Sequence, residues 1–309
     1  MTLPTPQLAA EFSTRPLRVT DAEAVHQVMA REELVNLGSV EIELADLLAD
    51  WQRPSFVIED STIGVFDGEG LVAYAEVSGA GRGDAAVDPA YHGRGVGTWL
   101  ATWLRHTAAR QGLPAIRMPV PKGSPGDRLL AALGWQIVAT SWVLRLPPGV
   151  EIPDRPLPDG YRMRAATPED DSAVWALLED AFLEWADRER ESFEDFRAKT
   201  RLRPDFEPWN LRVITDPAGV VVAAALVLVS QPEDDEPVGA FIDRLGVRRD
   251  HRGLGLAQAL LAESFREARA RGAASSSLST DSRTGALSLY EKVGMKVTSV
   301  WINRGVDLC

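Results

Sequence analysis

Leu245-Gly-Val-Arg-Arg-Asp-His-Arg-Gly-Leu-Gly-Leu-Ala257 runs from a short extended piece through two closely spaced glycines into a helical stripe. Leu256, Leu260, Leu261, Phe265 and Ala268 recur at three- and four-residue spacing, which predicts an amphipathic helix beginning just after the glycines. A glycine turn between strand and helix presents unpaired backbone N–H groups at the positive end of the helix dipole, where an anion is held. Gly253 and Gly255 have no Cβ to obstruct a phosphate. A Walker loop, GxxxxGK followed by Ser or Thr, is absent, and the third glycine and acidic partner of a dinucleotide fingerprint are missing. Alone, such a turn serves close helix packing equally well.

The stretch is repeated. Val247 to Ala257 resembles Val87-Asp-Pro-Ala-Tyr-His-Gly-Arg-Gly-Val-Gly97, an offset of 160 (247 minus 87). The same offset carries Leu100 to Leu260, Gly112 to Gly272, Leu129 to Leu289 and Gly134 to Gly294, without a gap. Between the copies, residues 146–160 contain five prolines, which neither continue a helix nor join a central strand. The expected organisation is therefore a first domain over 1–147, a linker over 148–160 and a second domain over 161–309.

Each copy repeats one order of elements. An extended piece (Arg15 to Val19; Tyr161 to Arg164) precedes a helix marked by Thr20-Asp21 or by Thr167-Pro-Glu-Asp170. A strand pair follows, turning at Asp67-Gly68 or at Asp216-Pro-Ala-Gly219. A strand into the glycine turn, the long helix, another strand, a last helix and a closing strand (Ile137 to Leu146; Val297 to Arg304) complete the unit. The fold class is α/β of the mixed α+β kind, twice over.

Composition bounds the function. The 309 residues, 45% apolar and 25% charged, describe a globular chain long enough for two domains. No apolar run of membrane-spanning length occurs and Met1 to Thr14 lacks the pattern of a secretory signal, so the cytoplasm is the expected location. One cysteine, Cys309, and four histidines without ligand spacing argue against a metal. Residues 1–150 carry 12 basic and 17 acidic side chains, net −5, and residues 151–309 carry 21 and 28, net −7. That balance disfavours nucleic acid and suits a cationic small molecule, or serves solubility alone. The run Glu233-Asp-Asp-Glu236 is expected at a solvated hairpin tip, and His251 at the surface.

Arg252-Gly-Leu-Gly-Leu-Ala257 resembles the R/Q-x-x-G-x-G/A pyrophosphate loop of the GCN5-related N-acetyltransferases. Gly285-Ala-Leu-Ser-Leu-Tyr-Glu-Lys-Val-Gly-Met295 is similar to a second signature of that family at the expected distance. The resemblance covers about residues 160 to 305 well and 15 to 145 more weakly, in the manner of tandem two-domain acetyltransferases of the mycothiol synthase type. It implies two domains, each a mixed, partly splayed sheet flanked by helices, and transfer of acetyl from acetyl-CoA to the amine of a small molecule. The amides of Leu254, Gly255, Leu256 and Ala257, with Arg252 and Gly253, would hold the coenzyme pyrophosphate, and the pantetheine arm would lie along Leu245, Gly246 and Val247. Tyr290 would protonate the departing thiolate, and Asp243 is the leading base, with Asp205 and Glu207 behind it. Tyr290 as a core aromatic and Asp243 paired to a neighbouring arginine are the competing readings. Trp185, Glu184 and Trp209 fall where the family lines its acceptor side, though buried core tryptophan explains the two rings equally well. An asparagine common before the family's last helix is replaced by Asp281-Ser-Arg-Thr-Gly285.

Under the offset, Arg252 becomes His92, Asp243 becomes Gly83 and Tyr290 becomes Leu130, while Gly93, Arg94, Gly95 and Gly97 keep an anion-holding turn. The first copy is therefore expected to be catalytically degenerate, a structural or ligand-holding domain beside a catalytic second one. Two alternatives stay open: a non-catalytic acyl-CoA sensor or scaffold, and an acyltransferase using another acyl-CoA.

Overall fold

The computed structural model describes residues 7–79, 81–186, 188–229 and 238–308. The acidic run Glu233 to Glu236 and Cys309 lie outside them. The first copy runs β1 (Phe12–Arg15), α1 (Ala22–Leu37), α2 (Leu44–Trp51), α3 (Ile58–Ser61), β2 (Thr62–Asp67), β3 (Gly70–Ser78), β4 (Arg82–Val87), α4 (Val96–Arg110), β5 (Ala115–Pro121), α5 (Pro125–Ala132) and β6 (Gln136–Leu146). The second runs β7 (Arg162–Ala165), α6 (Asp171–Leu183), α7 (Phe193–Lys199), β8 (Leu211–Thr215), β9 (Val221–Val229), β10 (Gly239–Val247), α8 (Leu256–Ala270), β11 (Ser275–Asp281), α9 (Leu287–Lys292) and β12 (Lys296–Asp307).

Both copies start their first long helix with one device. A 3-10 turn, Val19–Asp21 or Pro168–Asp170, precedes the helix, and its aspartate takes a two-pronged bond from the arginine of the preceding strand. Arg15 Nη1 and Nη2 donate to Asp21 at 2.8 Å each, and Arg164 donates to Asp170 at 2.5 and 2.9 Å. Asp170 also takes the Thr167 amide at 2.7 Å, completing a capping box at the helix start that Thr167-Pro-Glu-Asp170 marks. Three helices that sequence pattern does not announce, α2, α3 and α7, are short and carry no glycine or proline punctuation of their own.

Two compact units result, Met1–Thr140 with Val300–Cys309, and Ser141–Ser299. These differ from the boundaries expected at 147 and 161, because the closing strands are exchanged. Trp301 to Asp307 of β12 pair antiparallel with Pro121 to Ala115 of β5, whereas Ser141 to Leu146 of β6 pair with Asp281 to Ser276 of β11. Among the described residues, each unit has one parallel neighbouring pair, β4 with β5 and β10 with β11. Residues 147–160, the proline-rich stretch after β6, hold no helix or strand and are fastened inside their unit, Arg266 donating to Pro153 O at 3.2 Å and Arg269 to Val150 O at 3.1 Å.

Helices cover both faces of each sheet. In the first unit, Leu17, Val25, Val28 and Tyr74 pack on the α1 side, and Leu100, Leu104 and Ile116 on the α4 side. In the second, Val174, Leu178 and Leu226 pack beneath α6, while Leu260, Leu261 and Phe265 anchor α8. Each such side chain contributes about 2 kcal/mol on burial, and this packing fixes the rigid frame on which the glycine turns are mounted.

Candidate active site

The turn after β10 has the conformation its glycines predict. Gly253 has φ 78° and Gly255 φ 79°, left-handed values that other residues adopt only under strain, and the space a Cβ would occupy at either is open. Gly255 caps α8, and Ala259 donates to Gly255 O at 3.0 Å, so the amides of the first helical turn point out of the helix start. Gly246 serves packing instead, because a Cβ there would stand 2.9 Å from Leu178 Cδ2, and its absence lets α6 lie close on β10.

The strand before the turn carries an irregularity that composition does not announce. In the pairing of β10 with β9, Ile242 faces Val227 and Arg244 faces Leu226, leaving Asp243 as the extra residue of a β-bulge. Parallel pairing with β11 ends at Ile242 opposite Leu278. From Arg244 to Val247 the described strand pairing is with β9 and no longer with β11, which is the expected splay. Asp243 is exposed, its carboxylate 3.5 Å from Arg244 Nε. Arg244 turns its other nitrogen to Glu191 at 3.0 Å and to Glu179 at 3.9 Å.

Arg252 lies at the turn, donating through Nε to Val247 O at 3.2 Å and through both terminal nitrogens to Glu184 at 2.7 and 2.8 Å. Glu184, expected on the acceptor side, thus grips the arginine of the pyrophosphate loop. The Arg252 guanidinium holds the Glu184 carboxyl below its ordinary range. A cavity of about 340 Å³ opens here, lined by Asp180, Glu184, Arg248, Arg249, Asp250 and Arg252 among others. The arginines, the open left-handed glycines and the helix start suit a phosphate group, while Asp250 and Glu184 in the same lining hold Arg248 and Arg252.

His251, expected at the surface, is largely covered. It bonds Asp250 at 2.9 Å, lies 4.0 Å from Asp216 and meets Tyr161 edge-on.

Tyr290 stands on α9, half-buried against the cluster holding Leu278, Val293 and Met295. Burial pushes its phenol above the usual value, so it keeps its proton at neutral pH. The other candidates have local employment. Asp205 accepts from Arg203 at 2.6 Å, Glu207 accepts from Trp209 Nε1 at 3.0 Å, and Trp209 is buried with the Arg271 guanidinium 4.3 Å over its ring. Trp185 is half-buried under Arg283, whose guanidinium lies 5.2 Å from the ring centroid. In place of the family's asparagine, Asp281 accepts from the Arg283 amide at 2.8 Å and from its side chain, a turn closed on itself.

The first copy keeps the turn and loses the rest. Gly93 and Gly95 have φ 77° and 81°, and His92 Nε2 lies 3.0 Å from Val87 O, the contact Arg252 makes one repeat later. Arg94 stacks on Tyr91 at 4.9 Å. However, β4 pairs with β3 in unbroken register from Val87 to Arg82, so Gly83 has no bulge, and Leu130 is buried core.

Comparison with known proteins decides the family. The model of the acetyltransferase (GNAT) family matches residues 24–134 and 172–295, one match in each copy. This chain belongs to the GNAT acetyltransferase family. Among its relatives, the mycothiol acetyltransferase of Salinispora arenicola is 32% identical over 75% of this chain and 77% of its own, and that of Thermobispora bispora is 30% identical over 74% and 78%. A GCN5-related N-acetyltransferase from Sphaerobacter thermophilus superposes with a TM-score of 0.75 at 25% identity, covering 98% of this chain and 97% of that one. A tandem GNAT protein from the clavulanic acid biosynthesis pathway shares the fold, with a TM-score of 0.71 at 17% identity over 97% and 99%. The chain is thus an acyltransferase of the N-acetyltransferase type with two GNAT regions, and its fold is one that takes acyl-CoA. No described helix is long and apolar enough to cross a membrane.

Proposed function

We propose that this acetyltransferase moves an acetyl group from acetyl-CoA to a primary amine of a small molecule, with the chemistry in the second copy. The observation that carries the reading is a coincidence within one unit: the open turn of Gly253 and Gly255, the bulge at Asp243 and the protonated Tyr290 all belong to Ser141–Ser299. The mycothiol acetyltransferase relatives support a small-molecule acceptor.

Acetyl-CoA supplies the activated acyl group as a thioester. The turn amides and Arg252 bind its pyrophosphate, and Leu245, Gly246 and Val247 offer strand groups to the pantetheine arm. One such N–H facing the thioester oxygen lowers the barrier by about 3 kcal/mol. An ammonium of pKa about 10.4 must lose a proton before it attacks, and Asp243 takes that proton; once the carbon–nitrogen bond has formed, the nitrogen gives up its second proton to solvent. Tyr290 gives its proton to sulfur as the carbon–sulfur bond breaks, and solvent returns it. The net −7 of residues 151–309 favours a cationic acceptor, while the anionic coenzyme depends on local donors. The first copy retains Gly93, Arg94, Gly95 and Gly97 as a second phosphate-holding turn, with no chemistry beside it.

Thiol release from acetyl-CoA across a panel of primary amines tests the reading, with propionyl-CoA as a second donor. Acceptor-dependent release, faster with acetyl-CoA, is expected. Calorimetric coenzyme binding without release from any amine would instead make the chain an acyl-CoA sensor, and faster release from propionyl-CoA would change the acyl group.

A further inference from the structure

The first unit holds a partly enclosed cavity of about 110 Å³ between α1, β4, α4, β5 and α5. Leu100, Leu104, Met118 and Leu129 give it hydrocarbon walls, and Glu32 and Asp84 give it carboxylates. Under the 160 offset it stands where the second copy parts β10 from β11, but the chemistry of the wall is inverted. Asp84 occupies the place of Arg244 (244 minus 160). Aligning the helix starts, Arg18 to Asp21 on Thr167 to Asp170, gives an offset of 149 between α1 and α6, which sets Glu32 in the place of Ala181 (181 minus 149).

We infer that this cavity is a binding site for a small amine held as its ammonium ion, the charge taken by Glu32 and Asp84 and the carbon chain by the leucines and Met118. It lies outside the proposed catalytic site and does not depend on it.

Three observations carry the inference. First, acids outnumber cations around the cavity. Asp84 pairs with Arg82 at 3.5 Å and has Tyr74 as a hydroxyl partner, and Glu32 accepts the Val87 amide at 3.3 Å and bonds Asn36; the other nearby charges that raise these carboxyls are acidic, Glu33 and the buried Glu76. The equivalent region of the second copy pairs Glu179 and Glu191 with Arg188, Arg244 and Lys199. Excess buried negative charge is costly until a cation joins it.

Second, the site suits an amine better than a thioester. An acyl carbonyl developing negative charge requires donors, and here the strand amide of Val87 already gives its hydrogen to Glu32. Third, the cavity is partly enclosed and its walls combine hydrocarbon with a few acceptors, the usual composition of a small-ligand site. Burial pushes the Glu32 carboxyl up to about 7, with Asp84 and Glu33 adding to the rise.

The methionines make a direct test. Met29 and Met118 line the cavity, and Met295 lies in the cluster beside Tyr290. Full-length protein with ¹³C-methyl methionine is titrated with butylammonium chloride, with 1-butanol as the neutral probe. Saturable shifts of Met29 and Met118 are expected with the amine and not with the alcohol. Glu32→Gln with Asp84→Asn should weaken that binding about tenfold or more, the loss of a charge-assisted contact, while thermal melts show the variant still folded. Shifts confined to Met295, equal shifts with 1-butanol, or undiminished binding in the folded double variant would each overturn the inference. Should the double variant fail to fold, the comparison of amine with alcohol on the wild-type chain decides the matter.

Discussion

Position 84 is an aspartate and position 244, one repeat later, an arginine, and the electrostatic contrast between the two copies turns on that reversal. In the second copy Arg244 stands between Glu191 and Glu179. Burial would raise both carboxyls, but the arginines around them and Lys199 outweigh it and hold them below their ordinary range. In the first copy burial wins. Glu32, Glu33 and Glu76 are each pushed up to about 7, and Asp84 is raised as well. One backbone plan therefore serves two electrostatic designs, a compensated interior beside the proposed chemistry and an acid-rich one around the cavity of the first unit.

The comparison is broken most severely at the turn. Gly255→Val places a β-branched residue at φ 79° and a side chain in the open space of the turn, so kcat/KM for acetyl-CoA should fall about 100-fold. An unchanged value would move coenzyme binding away from the second copy. A smaller effect is expected on the frame. Gly246→Ala crowds Leu178, at 2.9 Å, and should cost about 1–3 kcal/mol in thermal or denaturant unfolding, although alanine is the native residue at the equivalent position 86. No loss on substitution would mean that α6 is free to shift.

The acids predict opposite pH responses. A carboxyl raised to about 7 stabilises the fold fully below its unfolded value near 4.5, and that contribution is lost as pH rises through 7. Asp170, lowered to about 2 by Arg164, contributes above 3.8 and loses its contribution as pH falls toward 2. Between pH 5 and 8, hydrogen exchange corrected for intrinsic rates should therefore quicken in β3 and β4 and stay level in β8 and β9. Equal behaviour of the two hairpins would contradict the assignment. The smallest effect belongs to Glu184→Gln. The pair with Arg252 is substantially exposed, so freeing the arginine should tighten coenzyme binding by calorimetry only a few-fold, and weaker binding would show that Glu184 positions Arg252 instead.

Much of this was legible in the residues. Glycine spacing, the constant offset and the proline-rich break disclosed two copies and their order of elements, because φ preference and apolar period are local properties. The exchange of β6 and β12 was not legible, since a closing strand has the same alternation whichever sheet it joins. The bulge at Asp243 was hidden for a similar reason: one extra residue in a strand changes register and not composition. Glu184 was assigned to the acceptor because sequence gives no distance to Arg252, 68 residues away. The Asp84 and Arg244 reversal is legible in the 160 offset, because charge type is read from the sequence alone.

The central claim, that chemistry lies in the second copy, is tested most directly by steady-state thiol release from Tyr290→Phe set beside Leu130→Met, its counterpart position in the first copy. A kcat about 100-fold lower is predicted for Tyr290→Phe, with the KM for acetyl-CoA little changed, and wild-type turnover for Leu130→Met. Wild-type turnover by Tyr290→Phe, or a loss confined to Leu130→Met, would contradict it.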